Sequence, residues 1–91
     1  MKGKTLFSLF ESSIGQVLRI RSIPSGSMKT LFIRLGINEG EVVHCFERLP
    51  GGTVVIQKNR QQIAIGRKLA KQIIVSQVEE RERRDRGSIL S

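Results

Sequence analysis

His44 and Cys45 are the residues of this chain best suited to chemistry, since imidazole and thiolate both bind transition metals and both serve nucleophilic catalysis. Their spacing works against either use. Neighbouring residues of a strand point to opposite faces, so one metal ion does not reach both, and no other His or Cys completes a set of three or four ligands. Within Val43, Cys45 and Glu47 the first two read as core positions, which makes Cys45 a small buried hydrophobe and leaves His44 as an ordinary surface group. Catalysis fares no better. The lone His has no Ser or Cys nucleophile in a fitting relation, and the acids before residue 79, namely Glu11, Glu39, Glu41 and Glu47, are scattered. The glycines lack a Gly-Lys-Ser/Thr phosphate loop. The expectation is a protein that is not an enzyme, with no metal site and no cofactor.

Charge is the stronger signal. The 91 residues carry a formal +8, and its distribution matters more than its total. Residues 79–91 hold four arginines against four acids, whereas residues 1–78 hold twelve cations against four acids. All of the excess therefore sits on residues 1–78. A field of that sign attracts nucleic acid, anionic lipid or an acidic protein face, and charge by itself does not choose among them. Arg48, Lys58, Arg60, Arg67, Lys68 and Lys71 come from a hairpin and a short helical turn that could converge on one partner-binding face; the alternative is an ordinary solvated surface.

The elements that carry these side chains follow from periodicity. Ile14 to Ile23 alternates as a strand that Pro24, Ser25 and Gly26 end. Ser27 can cap a helix over Met28 to Leu35, in which Met28, Leu31, Phe32 and Leu35 recur at the spacing of one helix face, and Gly36 suits the left-handed residue that closes it. Val42 to Arg48 and Thr53 to Lys58 read as a hairpin around Pro50-Gly51-Gly52. After a turn at Asn59-Arg60, Gln61 to Ile65 forms a further strand, making a meander in which Ile63 and Ile65 share a face. Gly66 to Gln72 gives about two helical turns before Ile73, Ile74 and Val75 resume a strand.

One domain is all this length can build, and strand, helix, three-strand meander, helical turn and strand suit a small, partly open barrel. Residues 1–78 form that domain. Glu79 to Arg86 pairs acids with arginines at i,i+4 but offers nothing apolar to pack, so 79–91 reads as a frayed helix or disordered tail. The single cysteine excludes an internal disulfide, and the broken apolar run Leu6, Phe7, Leu9 and Phe10 is too short for a signal-peptide core. No stretch approaches the roughly 20 apolar residues that span a bilayer. A soluble cytoplasmic protein is expected.

Phe32 to Gly40, an amphipathic helix ending in Leu35-Gly36-Ile37 and followed by Gly40, resembles the central motif of FeoA domains. Two further pieces follow in the family's order: the Pro50-Gly51-Gly52 loop, and Ile63-Ala64-Ile65-Gly66 through Val75 as closing strand, turn and strand. The resemblance covers roughly residues 5–76. Glu39 stands where the family often has Pro, and Leu31 where it often has a basic residue; neither threatens the fold.

The resemblance implies a mainly β, SH3-like barrel with one amphipathic helix after its first core strand. It further implies a cytoplasmic accessory protein of ferrous-iron uptake, at the inner face of the cell membrane. Its partner would be FeoB, a membrane ferrous-iron transporter carrying a GTP-binding domain, which it would bind and modulate. The runner-up is a basic small barrel that binds nucleic acid. Against it stand the absence of Trp and Tyr and the presence of only four Phe, of which Phe32 and Phe46 read as core rather than as stacking platforms.

Overall fold

The computed structural model describes residues 5–78, so the charged tail at 79–91 lies outside the described residues. Six strands form one antiparallel sheet: β1 (Phe7–Ser8), β2 (Val17–Ser22), β3 (Val42–Arg48), β4 (Val54–Lys58), β5 (Gln61–Ile65) and β6 (Ile74–Gln77). Two helices, α1 (Ser27–Arg34) and α2 (Arg67–Ala70), and a 3-10 turn at Leu9–Glu11 complete it. The order across the sheet is β1-β6-β2-β3-β4-β5. This is the mainly β, SH3-like class expected, with the ladder left open between β1 and β5.

The meander β3-β4-β5 lies where the turn residues put it. Beyond it the sheet departs from a plain meander, because β6 inserts between β1 and β2, with Ile20 opposite Val75 and Phe7 opposite Val75 on the other side. Leu9, Leu18, Ile20, Phe32, Ile37, Val43, Cys45, Val54, Ile56, Ile65, Ile73 and Val75 fill the core. Removing these side chains from water is the main stabilising term, at about 1.5 to 3 kcal/mol for each large one.

Helix α1 differs from its expected register. Phe32 is buried, Leu35 is only half-buried, and Met28 and Leu31 are exposed, so the expected four-residue face has one full anchor. The N-cap is Gly26, with φ of 98°, rather than Ser27, which is already the first helical residue. The C-terminus closes as the sequence indicates. Gly36 takes φ of 81°, its N–H donates to Ile33 O at 3.0 Å and that of Ile37 to Phe32 O at 2.8 Å. These are the two bonds of a Schellman closure, and they drive Ile37 into the core beside Phe32.

Three more expectations need correction. The first core strand begins at Val17, because Ile14 and Gly15 form a turn with Gly15 at φ of 94°, leaving Ile14 exposed. Phe46 is 44% exposed because strand alternation sets it beside His44 on the face opposite Val43 and Cys45; the β3–β4 register slips just beyond, between Cys45 and Glu47. β1 and the 3-10 turn come from the apolar run Leu6 to Phe10, which had no expected element. That turn puts Leu9 in the core, with its N–H on Ile73 O at 2.8 Å.

Candidate partner-docking site

His44 is exposed and Cys45 is 1% exposed on successive positions of β3, as strand alternation requires. The thiol faces inward, 3.4 Å from the buried Ser12 hydroxyl, which lies 2.7 Å from Leu9 O. Among the described residues no three of His, Cys, Asp and Glu converge as a metal site would need. Beside the pair lies an open, largely apolar groove of about 300 Å³, lined by Ile14, Gly15, His44, Cys45, Phe46 and Gln57.

The basic residues do converge, though only in part. Ser12 also ties the 3-10 turn to the end of β3, since Arg48 Nη1 donates to Ser12 O at 2.7 Å. That bond sets the Arg48 guanidinium 5.5 Å from the centre of the Phe10 ring. On α2, Arg67 and Lys71 are four residues apart and share a helix face. That face turns to the same ring, with Arg67 Cζ at 5.9 Å and Lys71 Nζ at 5.0 Å. The α2 turn is short because Gly66 opens it in extended conformation and Lys71 closes it, bonding its N–H to Arg67 O at 3.1 Å.

Three cations thus crowd one half-buried aromatic ring, and among the described residues no carboxylate pairs with any of them. The nearest acids in sequence are engaged or turned away. Glu11 accepts the Ser8 N–H at 3.3 Å, and Glu47 precedes Arg48 on the strand and faces the other side. Each cation–π contact contributes about 0.5 to 1 kcal/mol at such a site, while the like charges repel, so an anion placed among them relieves the repulsion.

The rest of the expected set is elsewhere. Lys58 sits at the far end of β4, four residues or about 13 Å along the strand from Val54, and forms an ion pair with Glu41 at 3.3 Å. Arg60 is exposed in the β4–β5 turn beside Asn59, whose φ is 58°. Lys68 is exposed on α2, away from the face that meets Phe10. The expected single face is therefore a cluster of Arg48, Arg67 and Lys71, an outlying Lys68 and a separate pair at Lys58 and Arg60. Sequence reasoning missed Phe10, the hub of the cluster, because three residues of 3-10 turn carry no periodic signal.

The motif residues hold different places in the fold. Ile37 is fully buried, and Gly40 takes φ of 93° while its N–H bonds Ile20 O at 2.7 Å. Pro50 and Gly51 make the exposed tip of the β3–β4 hairpin, and Ala64 is exposed on β5 opposite Val55.

A family model, that of the FeoA domain, matches residues 7–77. The chain belongs to the FeoA domain family. Solved structures agree on the fold of this FeoA domain. An iron uptake regulatory protein (FeoA) superposes with a TM-score of 0.71 at 23% identity, covering 81% of this chain and 100% of that one. The FeoA protein of Chlorobium tepidum gives 0.72 at 19% identity, over 80% of this chain and 71% of that one. A FeoA-like protein of Clostridium acetobutylicum gives 0.70 at 19%, over 86% and 93%. No curated protein matches in sequence. Among the described residues no helix is long and apolar enough to cross a membrane.

Proposed function

We propose that this FeoA domain is a non-enzymatic accessory protein of ferrous-iron uptake, which binds and modulates a FeoB-type membrane transporter from its cytoplasmic side. The observation that carries the reading is the FeoA match over residues 7–77, on a chain in which Arg48, Arg67 and Lys71 cluster around Phe10. Iron in this reading is cargo of the transporter, and any nucleotide chemistry belongs to that partner. Binding falls to the exposed members of the basic set, Arg60, Arg67, Lys68 and Lys71, with Arg48 completing the cluster. Arg48 and Lys58 also hold bonds of the fold, to Ser12 O and Glu41.

The nucleic-acid reading gains nothing from the fold. Phe32 is buried, Phe7 and Phe10 are half-buried, and Phe46, the exposed one, lines the groove by His44 rather than the basic cluster.

The test is co-purification with a FeoB-type transporter in detergent, where no bilayer is present. Arg60→Glu, Arg67→Glu, Lys68→Glu and Lys71→Glu combined are expected to weaken capture at least about tenfold, mainly through the association rate, with thermal melting preserved. Full capture by that variant removes the basic set from the reading, and no capture of the wild-type chain removes the partner.

A further inference from the structure

We propose that Arg48, Arg67 and Lys71, together with Leu49 and Pro50 at the adjoining hairpin tip, form a docking surface for an anionic lipid bilayer. It rests on the reading above that the chain works against a membrane transporter, and adds a lipid contact at the cluster to the protein contact of the basic set.

Position is the first argument. The tip follows Arg48 directly, and its loop is closed by Leu49 N–H on Thr53 O at 2.8 Å. It abuts α2, because the aliphatic stem of Arg67 lies where a side chain of Gly52 would stand, with Cδ 2.9 Å from an ideal Cβ. Apolar tip and cations therefore share one end of the molecule. Leu49 is 38% exposed and Pro50 is exposed, and residues 49–57 carry no charge, so nothing opposes burial of the tip in a headgroup layer.

Chemistry is the second. The cations are held in place by the Phe10 ring, the Ser12 carbonyl and Gly52, and no described carboxylate neutralises them. An exposed apolar tip rimmed by fixed cations places its side chains at the acyl boundary and its charges at phosphate level. An anionic lipid layer meets such a surface without the shape complementarity a protein partner must supply. The groove at His44, which could accept a partner's side chain, has no lining residue in common with this surface. A nucleic-acid strand would need an exposed aromatic here, and Phe10 is covered by its cations.

The experiment is co-sedimentation of the full chain with vesicles of phosphatidylcholine alone and vesicles also containing phosphatidylglycerol, with no transporter present. Binding is expected only to the second, falling with added salt. Arg67→Glu/Lys71→Glu is expected to lose about tenfold or more, and Arg67→Gln/Lys71→Gln an intermediate amount. Arg34→Glu/Arg60→Glu removes the same charge elsewhere and is expected to lose less than about threefold. Leu49→Ser should weaken binding about fivefold.

Equal binding to both vesicles overturns the proposal. So does an unaffected Arg67→Glu/Lys71→Glu, or an equal loss in the two charge-reversed pairs, which would mean that total charge and no particular surface is read. Binding of oligothymidylate through Arg67 and Lys71 without vesicle binding would give the cluster to nucleic acid. Capture of the transporter in detergent stands or falls separately, because no bilayer is present there.

Discussion

A Cβ built on Gly52 would lie 2.9 Å from Arg67 Cδ, 3.0 Å from its Cγ and 3.1 Å from its Cβ, whereas one built on Gly51 meets nothing within 4 Å. Both residues hold positive φ, 98° and 90°. Gly51→Ala and Gly52→Ala are therefore expected to share a backbone cost of about 1 to 2 kcal/mol in thermal or denaturant unfolding. Only Gly52→Ala should also displace Arg67 from Phe10, which the ring-current shifts of the Arg67 and Lys71 side chains would report. Equal shifts in both variants would contradict the packing described. At the same scale, His44 and Cys45 present divergent ligands. Equilibrium dialysis is expected to find no stoichiometric ferrous or zinc site tighter than about micromolar; one equivalent bound, and lost in His44→Ala, would refute this.

Among the elements, α1 and its closure carry the clearest energetic contrast. Ile37 is 0% exposed where the Schellman turn delivers it, and Leu35, one residue before Gly36, is half-buried against the core. Ile37→Ala is expected to cost about 2 to 5 kcal/mol, against about 1 to 2 for Leu35→Ala. Unfolding curves that reverse this order would mean the helix closes in another register. Phe46→Ser, at the slipped register of β3, should change stability by less than about 1 kcal/mol.

These elements also show what was legible. β3 and β5 have the bounds that alternation and turn residues predict, and Gly36 takes the positive φ its place after the helix requires. The exposure of Phe46 was legible as well, because alternation sets it on the face opposite Val43 and Cys45. β1 was not legible, because its two residues are strand only through pairing with β6 across the chain.

For the whole molecule, the sequence located the positive charge on residues 1–78 and offered Arg48, Lys58, Arg60, Arg67, Lys68 and Lys71 as one candidate face. It could not show that Lys58 is spent on Glu41, or that Phe10 gathers Arg48 to the α2 pair, since both are contacts between elements distant in sequence. The central claim joins this arrangement to the family: a FeoA domain that acts by docking. Its most direct test is ferrous-iron uptake in cells that lack the chain, complemented with the wild type or with Arg60→Glu/Arg67→Glu/Lys68→Glu/Lys71→Glu, both verified as folded. The account predicts restored uptake with the wild type and a loss of most of that gain with the variant, while a chain ending at Val78 restores uptake nearly in full. Full uptake with the charge-reversed domain, and none with the chain ending at Val78, would contradict it and assign the function to residues 79–91.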